Sequence, residues 1–193
     1  MQPELVVIGS SNGGARTLPW LLGDLPPDFP AAVVAVQHRG PEAEVGGLAS
    51  FLRSRSALPV REAEDNQPIE SGVVYLAPAD YHLLVEDARF ALSTEAPLMH
   101  ARPSIDVLFE SAAEAYGDRL VGVILTGTGR DGAAGLRRIW RRGGFTIVQD
   151  PATCECHEMP EAAIAAHHPK LVVPVEEMAR LLVELCAVRG GAA

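Results

Sequence analysis

Near the N-terminus, Gly9-Ser10-Ser11-Asn12-Gly13-Gly14 stands between a short apolar run and a helical pattern. The glycine spacing admits three kinds of chemistry. A dinucleotide fingerprint needs Gly-x-Gly-x-x-Gly, and its middle glycine position holds Ser11, whose side chain obstructs the close approach of a pyrophosphate. A P-loop ends in Gly-Lys-Ser/Thr, yet Lys170 is the only lysine in the chain. The third pattern, Gly-x-Ser-x-Gly, is met by Gly9, Ser11 and Gly13. On a strand-to-helix turn it raises a serine hydroxyl at the carboxyl edge of a sheet, where helix N-terminal amides can hold an oxyanion. Glycines that merely supply unusual backbone angles explain the hexapeptide equally well. The rest of a triad must decide.

A nucleophilic serine needs a neutral imidazole within reach and a third group to fix its tautomer. In open α/β sheets such groups gather beyond the carboxyl ends of strands. Among six histidines, His38 fits best, directly after the apolar run Ala31 to Gln37. His82 falls inside a hairpin pattern and reads as structural. His100, His157, His167 and His168 fall in loops or at helix ends, where a solvated ring is the default. Asp131 follows a third apolar run, Val121 to Thr126, just before a helix, and its competing role is helix capping. Asp80 and Asp106 are weaker rivals, the latter having a ready place in a helix first turn. The order Ser, His, Asp differs from the Ser, Asp, His of α/β-hydrolases, so this triad would be a convergent one.

The elements that must position these groups alternate. Leu5 to Ile8, Ala31 to Gln37, Val121 to Thr126, Phe145 to Gln149 and Leu171 to Pro174 read as strands covered on both faces. Helical spacing runs through Glu42 to Arg53, Ser104 to Tyr116, Ala133 to Arg142, Pro160 to Ala166 and Val175 to Val188. In the last, Met178, Leu181, Leu182 and Leu185 form a core stripe. Pro19 in the first helix pattern predicts a kink or a late start, and Ser104 reads as an N-cap. Gly72 to Ala77, Tyr81 to Glu86 and Arg89 to Ser93 are close-set strands, with a hairpin turn at Asp87 and Ala88. The fold class is therefore α/β, a doubly wound, mainly parallel sheet with helices on both faces and an inserted antiparallel hairpin. Residues 1–188 are expected to form one domain and 189–193 a flexible tail.

A net charge of −9 argues against general nucleic-acid binding, which needs clustered cations. Arg137, Arg138, Arg141 and Arg142 make a local basic patch that reads as a solvated helix face. Cys154, Cys156 and Cys186 are too few for a disulfide framework, and Cys154, Cys156 and His157 are too crowded for a tetrahedral zinc site. They are expected as buried or partly exposed free thiols, with no metal. No apolar stretch approaches the roughly 20 residues of a membrane span, and no leader pattern opens the chain. A soluble, cytoplasmic protein is the expectation.

With these residues assembled, the chain resembles the catalytic domain of the chemotaxis protein-glutamate methylesterase (CheB) family along nearly its whole length. The matching segments are Ile8 to Gly14, Val36-Gln37-His38, Tyr75-Leu76-Ala77-Pro78 with His82, Arg102 to Phe109, Leu125 to Ala133, Gln149-Asp150 and Met159-Pro160. By position, the resemblance puts the triad on Ser11, His38 and Asp131. It implies hydrolysis of γ-glutamyl methyl esters on chemoreceptor cytoplasmic helices, releasing methanol, with glutamine deamidation in some members and no cofactor. Asn12, Gly13 and Thr128 would support the oxyanion. Arg16, Arg39, Arg102 and Arg130 are candidates for contacting the acidic receptor helices.

Four positions depart from the family pattern. Asn12 stands for the usual Thr, Thr128 for the usual Met, Arg39 for an apolar residue, and His157-Glu158 for the usual Phe-Gly. The first two border the oxyanion site and motivate alternatives: a receptor-binding signalling module that has lost efficient chemistry, or a hydrolase of another ester or amide. The family's usual receiver domain has no counterpart before the first strand, so the expectation is either a free-standing esterase or a fragment of a longer chain, with its regulator unknown.

Overall fold

Our computed structural model describes residues 2–38 and 47–187. Strand β1 (Leu5–Ser10) and strand β2 (Ala32–Gln37) are buried at every residue, as continuous apolar runs require when both faces are covered. Between them runs helix α1 (Gly14–Gly23). Helix α2 (Gly47–Arg53), strand β3 (Val60–Glu62) and strand β4 (Val74–Leu76) follow, then the pair β5 (His82–Glu86) and β6 (Arg89–Ser93). The second half alternates: α3 (Ile105–Tyr116), β7 (Leu120–Ile124), α4 (Ala133–Arg141), β8 (Phe145–Gln149), α5 (Glu158–Ala166), β9 (Leu171–Val173) and α6 (Val175–Cys186).

Seven of these strands form one parallel sheet in the order β3-β4-β2-β1-β7-β8-β9. From β1 the chain passes to β2, then to β3 at the edge and back to β4 between them, before it crosses to β7 on the other side of β1 and works outward through β8 and β9. Strand β1 thus borders the point where the winding reverses, the place where α/β sheets open a crevice at their carboxyl edge. Leu18, Leu22, Leu52, Met178 and Leu182 of α1, α2 and α6 pack with Val6 and Ile8 on one face. On the other, Leu108, Phe109, Leu136, Ile139 and Ala163 of α3, α4 and α5 pack with Leu5 and Val7.

The hairpin forms, with Asp87 and Ala88 at its turn in left-handed conformations (φ 47° and 58°). It is not inserted into the large sheet, however, but makes a two-stranded sheet of its own. The reason lies at its edge: the Val85 amide donates to Ser111 Oγ of α3 at 3.1 Å, and Leu83, Val85 and Phe90 join the apolar cluster that includes α3. Strand β3, with three residues, is too short to leave a periodic signal in the sequence. Helix α1 starts at Gly14 and runs through buried Pro19, so there is no late start. The core stripe of α6 is Val175, Met178, Ala179, Leu182 and Cys186, with Leu181 and Leu185 at its half-buried margins. The forward part of the helix anticipated from Glu42, and the tail at 189–193, lie outside the described residues. No helix among the described residues is long and apolar enough to cross a membrane.

Candidate active site

Each of the three candidate residues follows the carboxyl end of a central strand. Ser11 follows β1, His38 follows β2, and Asp131 lies in the turn from β7 to α4. Backbone bonds tie these ends together: the Ser11 amide donates to Thr126 O at 3.1 Å and the His38 amide to Ser10 O at 2.9 Å. Gly13 adopts φ 84° where α1 begins, a conformation that L side chains rarely adopt. A Cβ there would also stand 2.8 Å from Glu155 Cβ and 2.9 Å from Thr126 Oγ1. Glycine at this position is thus a requirement of the turn that presents Ser11.

His38 Nε2 lies 2.9 Å from Asp131 Oδ2, with the imidazole partly exposed and the carboxylate buried. The other donors to Asp131 come from the start of α3. Its Oδ1 accepts from Ser104 Oγ and from the Asp106 amide, both at 2.9 Å, and its Oδ2 accepts from the Ile105 amide at 2.8 Å. Burial by itself would raise the Asp131 carboxyl. The bonds from His38 and from the Asp106 and Ile105 amides outweigh that and hold it below the usual carboxylate range. An ionised carboxylate at this place stabilises an imidazolium and fixes the ring's tautomer. Ser11 is half-buried, and its hydroxyl makes no hydrogen bond among the described residues, to His38 included. Such nucleophile–base contacts are often long without substrate.

Comparisons with known proteins give the family of the chain. The family model for CheB methylesterase matches residues 6–182. The chain belongs to the CheB methylesterase family. A relative from Leptospira interrogans is 44% identical over 186 residues, covering 96% of both chains. A protein of Anaeromyxobacter dehalogenans, named protein-glutamate methylesterase/protein-glutamine glutaminase 2, is 46% identical over 182 residues. That match covers 94% of this chain and 53% of the relative, so the chain spans about half the latter's length. Among solved structures, the Thermotoga maritima CheB methylesterase catalytic domain superposes with a TM-score of 0.91 at 38% identity, covering 96% of this chain and all of that one. The α/β class read from the sequence is the fold of this family.

Several residues around the CheB-like edge do work that the sequence pattern had not assigned. Gln37 is buried, accepts from Ser10 Oγ at 2.7 Å, and donates to the carbonyls of Ser11 (2.8 Å) and His38 (2.7 Å). It braces both turns at once. The single proton on Thr126 Oγ1 is shared between Asn12 O and Cys156 O, and the oxygen accepts from the Cys156 amide, joining three loops. Ser104 is the N-cap residue of α3, but its side chain does not cap that helix; the Asp131 carboxylate does. The Asp106 carboxylate likewise leaves its own helix and accepts from the Gly135 amide of α4. The only trace of this in the sequence is the short run Pro103-Ser104-Ile105-Asp106, which local reading assigns to capping.

Asn12 and Thr128, two of the departures, touch each other: Asn12 Nδ2 donates to Thr128 Oγ1 at 3.3 Å. Glu158, in a third departure, accepts from the Gly129 amide at 2.7 Å. The amides of Asn12, Gly13 and Thr128 take no partner among the described residues, which leaves them available to a ligand. Of the arginines, Arg16 is exposed and 3.3 Å from Glu155, and Arg130 is exposed beside Asp131. Arg102 instead donates to the carbonyls of Thr94 (3.1 Å) and Glu95 (3.2 Å), stapling the loop after β6. Arg39 lies outside the described residues.

His82 is buried between Ala96 O and the Ser104 amide, a structural ring as its pattern suggested. His167 departs from the solvated default: it is buried against Thr146 Oγ1, and burial lowers its basicity. Cys154, Cys156 and Cys186 are free thiols, and burial pushes Cys154 and Cys186 up to about 12, away from thiolate reactivity.

Proposed function

We propose that this chain hydrolyses γ-methyl esters of glutamyl side chains on chemoreceptor cytoplasmic helices, with Ser11 as nucleophile, His38 as base and Asp131 as the carboxylate that orients it. The observation that carries the reading is the 2.9 Å contact between His38 Nε2 and the buried Asp131, at the strand edge where Ser11 also ends β1. The names of the relatives, protein-glutamate methylesterase/protein-glutamine glutaminase, support the same substrate class.

In this reading His38 accepts the Ser11 proton as Oγ attacks the ester carbonyl. The tetrahedral oxyanion forms beside the unpaired amides of Asn12, Gly13 and Thr128. His38 then protonates the departing methoxide, giving methanol and an acyl-serine. Water, deprotonated by His38, repeats the attack and releases the glutamate carboxylate. Among the described residues, Ser11 is half-buried and the His38 ring partly exposed. A cleft of about 500 Å³ lined by Arg16, Thr17, Gln149 and Glu155 flanks them, and none of the three proposed residues lines that cleft. That partial exposure suits a side chain presented by another protein. The exposed Arg16 and Arg130 are the proposed contacts for acidic receptor helices.

The test is methanol release from methylated receptor fragments, comparing the chain with Ser11→Ala. Release by the wild-type chain alone supports the proposal; equal release by both overturns it. A chain that binds the fragments without releasing methanol would instead be a signalling module.

A further inference from the structure

Two buried aspartates exchange roles across the α3–α4 corner. Asp131 stands two residues before α4, yet its carboxylate takes the Ile105 and Asp106 amides of α3. Asp106 lies in the first turn of α3, yet its carboxylate takes the Gly135 amide of α4 at 2.7 Å. Each helix start is capped by the other helix's aspartate, and neither of the residues preceding these helices, Ser104 and Gly132, supplies a side-chain cap. The corner is close enough for this because residue 135 is glycine: a Cβ there would stand 2.5 Å from Phe109 Cβ and 3.2 Å from Asp106 Cα. Only 4% of Asp106 and 6% of Asp131 is exposed.

Keeping two carboxylates together in such a place is costly unless each meets a helix N-terminus. The cost falls on Asp106. Burial foremost, with the nearby charges of Asp131 and Glu110, pushes its carboxyl up to about 6 despite the opposing amides of Gly135 and Gly132. Asp131 remains low because it has the larger set of donors, His38 among them. The Asp131 carboxylate therefore cannot turn away from His38 without releasing the start of α3, and α3 cannot slide along α4 without breaking the Asp106–Gly135 bond.

We infer that Asp106 is a positioning residue for the site: by capping α4 from α3 it fixes the corner on which Asp131 holds His38. This rests on the esterase reading for its consequence in rate, but not for its consequence in geometry. Asp106 touches neither His38 nor Ser11, and it acts through Asp131 alone.

The experiment compares the full chain with Asp106→Ala and Asp106→Asn, the latter keeping an acceptor for Gly135 while dropping the charge. Turnover is referred to the number of serines labelled by a fluorophosphonate probe, so that partial unfolding does not count as lost rate. Expected for D106A is a fall in kcat of roughly 10- to 100-fold at little-changed KM, the scale of a misplaced base, with most of it recovered in D106N. The proton between His38 and Asp131, read as a downfield ¹H resonance, is expected sharp in wild type and D106N and shifted or broadened in D106A. Wild-type kcat per labelled serine and an unmoved resonance in D106A, with only a lower Tm, would overturn the inference. Should D106A not fold, Asp106→Glu, whose longer side chain displaces the cap, is judged by the same two readings. If the wild-type chain releases no methanol, the esterase reading fails and the resonance alone decides the role of Asp106.

Discussion

His38 meets Asp131 through Nε2, at 2.9 Å, which leaves Nδ1 as the nitrogen available to a serine hydroxyl. Serine-protease triads of the chymotrypsin kind use the ring the other way round, with Nδ1 on the aspartate. The inversion follows from the approach: here the ring extends from the end of β2 toward a carboxylate two strands away, across β1.

Asp131→Asn is expected to lower kcat by about 10⁴-fold, because an amide nitrogen in place of Oδ2 presents a donor to Nε2 and favours the wrong tautomer, and to cost some stability because the Ile105 amide then loses its acceptor. Asp131→Ala is expected to cost stability as well, since Ser104 and the Ile105 and Asp106 amides lose their acceptor. Leaving buried donors unpaired costs about 1–3 kcal/mol each when nothing relaxes. Urea titrations set beside steady-state rates check both; an Asn variant with wild-type kcat would remove Asp131 from the mechanism.

Stability is expected to depend on pH through the two aspartates in opposite ways. Asp106 is raised from 3.8 to about 6, so the folded chain favours its protonated form. That contribution is full below pH 4 and is lost as pH rises to about 6, a change of roughly 2–3 kcal/mol. Asp131 is lowered, so its contribution is present above pH 4 and lost in stronger acid. Denaturation of wild type and D106N at pH 4.5 and 7.5 isolates the first effect. The variant should gain on wild type at the higher pH, and a difference that ignores pH would contradict the assignment.

Gln37→Leu is expected to destabilise the chain by about 2–4 kcal/mol, since it strands the Ser10 hydroxyl and frees the carbonyls of Ser11 and His38. The rate per folded molecule should fall as well, because the same side chain sets both turns. Thermal melts and probe-normalised rates separate the two effects.

Gly127→Ala brings a Cβ to 2.2 Å from Met159 Sδ and 2.9 Å from Ser11 Cβ. The thioether can swing aside, but Ser11 Cβ is anchored to its turn. Activity is therefore expected to fall further than stability, and pairing the change with Met159→Ala should recover stability while leaving most of the rate defect. Full recovery of rate in the double variant would show that the thioether alone was crowded.

Asn12→Ala and Thr128→Ala each remove one end of an exposed 3.3 Å bond, so melting is expected to move by less than about 0.5 kcal/mol. If the bond sets the spacing of the two turns, the pair of changes should lower kcat no more than either one alone. Independent, multiplying losses would separate the two positions.

Much of this was readable along the chain. Continuous apolar runs gave the β1, β2, β7 and β8 strands, since a strand covered on both faces has no polar side to hide its pattern. The Gly-x-Ser-x-Gly turn located Ser11, and strand-end placement located His38. Strand β3 carried too few residues to show a period, and the hairpin's exclusion from the large sheet depended on Ser111 of a distant helix taking its edge amide.

The sequence by itself determined which residue types stand at strand ends, because local backbone demands such as φ 84° at Gly13 act within a few positions. Only the tertiary structure decided what those residues hold. Ser104, Asp106 and Asp131 each have a local role available as helix-start residues, and all three decline it for a partner 25 to 29 positions away. A buried carboxylate seeks the strongest set of donors within reach, and at the α3–α4 corner those donors belong to the neighbouring helix.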